Sequence, residues 1–224
     1  HKQAIMNYLD EIDEDAAAIG AVNTVVNDGG VLKGYNTDVL GFLGGLRDAG
    51  FDPAEKEVVM LGAGGAARAA LWGLMKSHAM RVTLAVRHPE KAEALIDDFA
   101  ERASMLGTRL KAIHWSSMDF EGAFAHADLV VNVTPLGMTP AVDNKPPVDW
   151  RSAKPGAFAY DIIYTPAETR FLHEAAALGH PTLNGEDMLV LQGAASFHLW
   201  FGKDADTGVM KTVLREQLEA ASFS

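Results

Sequence analysis

Two periods of hydrophobicity run along this chain. Ala4, Ile5, Tyr8 and Leu9 fall on one helical stripe. Residues 20–26 (GAVNTVV) are strand-like, Asn27-Asp28-Gly29-Gly30 is turn chemistry, and VLKGYNT returns, so 20–37 predicts a hairpin. From Asp38 the period changes. Val39, Leu40, Phe42, Leu43 and Leu46 keep helical spacing, with Gly50 placed to stop the helix. Short apolar runs then recur at 58–61, 82–86, 110–114, 129–133 and 157–162. Helical patterns separate most of them, the clearest at 65–76 and 89–103. Such alternation predicts βαβ units: an α/β fold with a doubly wound parallel sheet and helices on both faces. The tail reads as two helices, 186–201 and 208–221, and no internal repeat is visible.

Composition narrows the function classes. With 224 residues, 48% of them hydrophobic, the chain can bury one large core or two small ones. Its net charge of -11, from 19 basic and 30 acidic residues, argues against non-specific binding to nucleic acid or anionic membrane. The absence of cysteine excludes disulfides and thiolate metal sites, calls for no metal, and points to a reducing, cytoplasmic setting. No apolar run is long enough to span a bilayer, and no signal peptide is apparent. The chain opens on His1-Lys2 inside a helical pattern, without an initiator Met, which suggests a missing beginning.

The first chemical signal is at the end of the 58–61 run. Gly62, Gly64 and Ala67 fit G-x-G-x-x-A between a predicted strand and a predicted helix. The first glycine permits a tight turn, the second lets a pyrophosphate approach the backbone, and the small third residue lets helix pack on strand. Free N–H groups and the positive end of the helix then face the phosphates. Helix packing also produces glycine-alanine runs, but the strand–turn–helix context favours a nucleotide site. An NAD site would carry an acid about twenty residues on, at the end of the next strand. Here that stretch reads LAVRHPEK, with no acid between Arg81 and Pro89 and with Arg87 just past the strand. A guanidinium pairs with a 2′-phosphate where a carboxylate would repel it, so NADP is favoured over an ordinary exposed loop arginine. Asn132, Thr134 and Pro135 follow the fourth predicted strand, where doubly wound sheets place ligands. The same residues also make an ordinary turn.

Lys2, Asn23, Asp38, Tyr164 and Gln192 are candidates for chemistry, although each alone has a plain explanation. Asp38, for one, stands where a helix N-cap would be. Together with their surroundings they resemble the shikimate dehydrogenase family. The resemblance rests on HK at 1–2, GAVNTV at 20–25, GYNTD at 34–38 and GAGGAARA at 62–69. It continues through NVTPLGM at 132–138, DIIYTP at 161–166 and NGEDMLVLQGAASFHLW at 184–200, covering nearly the whole chain.

The resemblance implies an oxidoreductase that reversibly reduces 3-dehydroshikimate to shikimate with NADPH, in aromatic amino acid biosynthesis. It implies a Rossmann-like NADP domain at 38–185 and an incomplete α/β substrate domain from 1–37 and 186–224, with the active cleft between them. Lys2 becomes the catalytic lysine and Asp38 its partner. Asn23, Asp38, Tyr164 and Gln192 become substrate contacts. Gly62, Ala63, Gly64, Gly65 and Ala66 cradle the pyrophosphate, and Arg87 takes the 2′-phosphate. Asn132, Thr134, Ile162 and Gly185 lie along the cofactor, with Glu14 a weaker match near it. The expected partners are a small-molecule substrate and NADP(H), in a monomer or homodimer.

Two departures qualify this. Val86 and His88 replace the Asn and Thr that flank the family's arginine, which bears on NADP strictness. The family's catalytic lysine also follows an α/β half-domain whose paired serine hydroxyls hold the substrate carboxylate, and none precedes His1 here. The expectation is a chain that binds cofactor but turns over poorly. The alternatives are an NAD-using quinate/shikimate dehydrogenase, or a catalytically silent NADP-binding paralogue or sensor.

Overall fold

In the computed structural model, which describes residues 1–222, the chain opens with a 3₁₀ turn at Ala4–Tyr8. β1 (Glu11–Ile12), α1 (Glu14–Ile19), β2 (Thr24–Asp28), β3 (Val31–Tyr35) and α2 (Asp38–Asp48) follow. Next come β4 (Glu57–Leu61), α3 (Gly65–Lys76), β5 (Arg81–Val86), α4 (Pro89–Leu106), β6 (Arg109–His114), α5 (Met118–His126) and β7 (Leu129–Asn132). A 3₁₀ turn at Trp150–Ser152, β8 (Phe158–Asp161), α6 (Arg170–Ala177), β9 (Thr182–Leu183), α7 (Glu186–Phe201) and α8 (Thr207–Ser222) complete it. These elements form two compact units, one of His1–Gly45 with the chain from Asp187 onward, the other of Leu46–Glu186.

The first unit carries a three-stranded sheet of order β1-β3-β2. β2 and β3 are the predicted hairpin, antiparallel, with Gly29 and Gly30 at φ 59° and 101° in its turn. The strand begins at Thr24 rather than Gly20. Gly20 instead caps α1 in the left-handed region at φ 71°, a conformation that costs glycine little. The predicted stripe at 4–9 makes only a five-residue 3₁₀ turn, with Ile5 and Tyr8 exposed. Five residues are too few to lay a continuous apolar face.

The second unit holds a six-stranded, all-parallel sheet of order β6-β5-β4-β7-β8-β9. The chain winds from β4 outward to β6, returns past β4 to β7, and winds the other way to β9. Right-handed crossovers then place α3 and α4 on one face and α5 and α6 on the other. Packing agrees: Trp72 of α3 meets Phe99 of α4, their ring centroids 6.3 Å apart. On the opposite face Phe124, Trp150 and Phe171 stack edge to edge over Val59, Leu61, Val130 and Ala159. β7 and β8 are buried at every position, as central parallel strands are. Leu61, Asn132 and Asp161 are aligned in register at the C-terminal ends of β4, β7 and β8. The winding reverses between β4 and β7, and open α/β sheets hold their ligands at such a reversal, beyond the C-terminal strand ends. No helix among the described residues is long and apolar enough to cross a membrane.

Candidate active site

In the first unit four of the predicted residues come together. The Val22 N–H donates to the Lys2 carbonyl at 2.8 Å, seating Lys2 beside Asn23, just ahead of β2. Lys2 Nζ donates to Asp38 Oδ2 at 2.5 Å, with Lys2 55% and Asp38 14% exposed. The other carboxylate oxygen, Oδ1, accepts from Asn23 Nδ2 at 3.0 Å. Asp38 is therefore not the cap of α2. It is the helix's first residue, and its own N–H is taken by Asn36 Oδ1 at 3.0 Å. That leaves the carboxylate to the lysine.

Gln192 of α7 joins through Thr37, whose hydroxyl lies 3.4 Å from Gln192 Oε1. Thr37 is buried, accepts from Asn23 Nδ2 at 2.9 Å, and lies 3.1 Å from the Ser196 hydroxyl. Sequence reasoning passed over Thr37 and Ser196. Thr37 stands inside GYNTD, next to the candidate Asp38, and that adjacency is the signal that would have found it. Gly41 shows how tightly α2 and α7 meet: a Cβ there would lie 2.4 Å from the Met188 carbonyl. Glu14 lies apart from this cluster in the chain, exposed in the first turn of α1, where its charge complements the helix dipole.

In the second unit the glycine turn follows β4. Gly62 has φ 115°, and its N–H bonds the Ala85 carbonyl at 3.0 Å. A Cβ on Gly62 would meet Thr134 Cγ2 at 2.8 Å, so the turns after β4 and β7 touch. Gly64 is the N-cap of α3 and offers no side chain to its free N–H groups. Gly64 and Gly65 are exposed, and a Cβ on either would meet nothing within 4 Å. Ala63 and Ala66 are half-buried beside them, and Ala67 is fully buried under the helix. A bare N-terminus, open space before it and a helix pressed close to its strand fit a pyrophosphate.

The turns after β7 and β8 are tied together by one buried network. Asp161 accepts from Thr169 Oγ1 at 2.7 Å, Ile163 N–H at 3.1 Å and Asn132 Nδ2 at 3.1 Å. Asn132 Oδ1 accepts in turn from the Thr134 hydroxyl at 2.6 Å and the Thr134 N–H at 3.0 Å. Burial pushes the Asp161 carboxyl up to about 6, against the opposing pull of its three donors. Asn132 is thus a buried brace as well as a turn residue. Asp161 stands within DIIYTP but was not singled out, because its role rests on contacts to Asn132, Ile163 and Thr169 that only the fold supplies.

Over this network lies a cavity of about 560 Å³, lined by Val133, Thr134, Met138, Ile162, Tyr164 and Thr165 among others. Its walls are largely apolar, which suits a planar ring. Gly185 supports this wall from behind. Its N–H bonds the Ile163 carbonyl at 2.9 Å, and a Cβ would fall 1.9 Å from the Ile162 carbonyl oxygen. Arg87 is exposed just past β5, its guanidinium 5.7 Å from the Trp115 ring centroid. Val86 is buried, and His88 faces Glu90 at 3.4 Å.

Comparison with known proteins gives matches in both units of the chain. Residues 1–25 match the Shikimate dehydrogenase substrate binding domain and residues 185–215 the Shikimate 5'-dehydrogenase C-terminal domain. Residues 58–142 match the Saccharopine dehydrogenase NADP binding domain. The Shikimate dehydrogenase (NADP(+)) of Moorella thermoacetica is 46% identical, over 99% of this chain and 74% of its own length. Shikimate 5-dehydrogenase from Listeria monocytogenes, solved with shikimate and NAD, superposes with a TM-score of 0.89 at 30% identity, over 96% of this chain and 74% of that one. A shikimate dehydrogenase solved with NADP+ gives 0.87 at 38% identity, over 97% and 74%.

Proposed function

This chain belongs to the shikimate dehydrogenase family, and we propose that it catalyses the reversible NADPH-dependent reduction of 3-dehydroshikimate to shikimate. The observation that carries the reading is the Lys2–Asp38 pair, held by Asn23 in the unit that contains the substrate-domain match. A protein that only binds a dinucleotide has no need of an exposed ammonium braced by a half-buried carboxylate.

The cofactor, when bound, supplies a hydride to the ketone carbon. As that carbon is reduced, negative charge grows on its oxygen. The Lys2 ammonium stabilises the charge and gives the oxygen its proton, so that ketone, hydride and proton balance to alcohol. In the oxidation direction the neutral amine takes the hydroxyl proton back. Asp38 orients the ammonium through Oδ2 and accepts a substrate hydroxyl beside it. Asn23 and Gln192 are neutral, so they align hydroxyls without competing for the proton. Tyr164, 38% exposed at the mouth of its cavity, adds a further hydroxyl contact. A site built on polyol hydrogen bonds rejects analogues that lack a hydroxyl, because its own polar groups are then left unpaired.

On the cofactor side, the N–H groups from Ala63 to Ala66 hold the pyrophosphate, Arg87 the 2′-phosphate, and Thr134 and Ile162 the nicotinamide. Buried Val86 and the His88–Glu90 pair leave Arg87 as the loop's chief phosphate ligand. The two missing flanking ligands favour a second reading, in which NAD is also used. The experiment is a set of initial rates for the product of the complete gene, with NADP against NAD and shikimate against quinate. NADP with shikimate is expected to give the highest kcat/KM. Tight NADP binding with no oxidation of either alcohol would instead mark a silent binding protein.

A further inference from the structure

β5 and β6 end side by side, with Val86 opposite His114 in parallel register. The pairing continues one residue further, since the Trp115 N–H donates to the Val86 carbonyl at 3.1 Å. Arg87 and Trp115 are therefore the first residues beyond two adjacent strands, held at a fixed spacing by the ladder beneath them. The guanidinium carbon stands 5.7 Å from the indole centroid, within the range of a cation–π contact. The indole is itself anchored, half-buried against the core cluster on that face of the sheet. Among the described residues no carboxylate pairs with Arg87, and Glu90, the first acid after it in the sequence, is turned to His88.

An exposed arginine samples many rotamers and loses that freedom when it grips an anion. A ring that already holds the guanidinium lessens the loss. Contact with a ring face also consumes none of the five N–H donors, which stay free for a forked grip on phosphate. We infer that Trp115 is a positioning residue for Arg87, holding its guanidinium for the adenosine 2′-phosphate and so setting the preference for NADP over NAD. This rests on the reading of Arg87 as the 2′-phosphate ligand.

The test is calorimetric titration of NADP+ and NAD+ into wild type, Trp115→Leu, Trp115→Phe and Arg87→Leu, with a thermal melt of each. Leucine keeps apolar packing and removes the π face, whereas phenylalanine restores it. Trp115→Leu is expected to weaken NADP+ roughly three- to tenfold while leaving NAD+ within about twofold, and Trp115→Phe to recover most of the loss. Should Trp115→Leu fail to fold, Trp115→Met serves as the apolar variant without a ring. A purely structural Trp115 would lower both affinities together, and that result overturns the inference. If Arg87→Leu abolishes the NADP preference while the apolar Trp115 variant keeps the wild-type ratio, the inference fails and the Arg87 reading stands. If Arg87→Leu leaves the ratio unchanged, both fall.

Discussion

Lys2 and Asp38 are joined by a single charge-assisted bond, and the lysine is more than half exposed. Exposed ion pairs contribute at most about 1 kcal/mol to stability. Lys2→Met should therefore leave the urea midpoint almost unchanged while lowering kcat by about 10²–10⁴-fold, the usual worth of a positioned proton donor. A large stability loss with intact turnover would make the pair structural. Asp161 is the opposite case, a buried carboxyl whose bonds run to Thr169, Ile163 and Asn132. Its carboxyl titrates near 6 in the fold against about 3.8 in the unfolded chain, so the folded state binds its proton more tightly. Stability from this group is full below the unfolded value, falls as pH rises from about 4 to 6, and is flat above that, a loss of about 3 kcal/mol. Asp161→Asn removes the slope but leaves at least one of three donors unpaired, costing about 1–3 kcal/mol at every pH. The variant should thus gain about 2 kcal/mol on wild type between pH 4.5 and pH 7. Parallel denaturation curves across that window would show that Asp161 does not titrate there. The proposed reacting residues were legible only through the family blocks that hold them, since each alone has a plain explanation. Thr37 and Asp161 were not, because they act through neighbours that only the fold supplies.

The glycines of the turns after β4 and β9 look alike in sequence and differ in what surrounds them. Gly62 combines φ 115° with a Cβ position 2.8 Å from Thr134, and Gly185 would push a Cβ into the Ile162 carbonyl. Alanine at either should destabilise by roughly 1–3 kcal/mol, seen as an earlier thermal midpoint. Gly64 has φ -86° and open space before it. Gly64→Ala loses a better N-cap than alanine and should cost only about 0.5–1 kcal/mol, less than alanine at Gly62 or Gly185. Its methyl group nevertheless occupies the approach of the pyrophosphate, so NADP affinity should fall by roughly tenfold or more. Loss of stability without loss of affinity would reverse the assignment of that turn to phosphate. At this scale the strands β4, β5, β7 and β8 were legible because buried parallel strands are continuous apolar runs, whereas β6, at the sheet edge, is buried at Ile113 alone and shows only a short one. The two-residue strands β1 and β9 and the six-residue helix α1 were not. They are too short for periodicity to register; β1 and β9 exist because β3 and β8 lend them hydrogen bonds, and α1 because Asp13 and Gly20 cap its ends.

At the scale of the molecule, the two units differ in how they draw on the chain. Leu46–Glu186 is continuous, holds all six strands of its sheet, and contains every member of the cluster around Trp150 and Phe171. The other unit takes its strands from one end of the chain and α7 and α8 from the other. A segment with its own core and its own turn chemistry has what a folding domain requires. The fragment 46–186 should therefore fold alone, with a cooperative melt, and bind NADP within about threefold of the whole chain. NADP at a hundred times its Kd adds about 2.7 kcal/mol to a state that binds it, which raises the midpoint by roughly 5–10 °C in a domain of this size. Shikimate should give no such shift, because Lys2, Asn23, Asp38 and Gln192 all lie outside the fragment. A fragment that folds but is stabilised equally by shikimate would place substrate recognition on the cofactor unit. A fragment that fails to fold would show that the six-stranded sheet depends on the rest of the chain, and the division into substrate and cofactor domains would lose its physical basis.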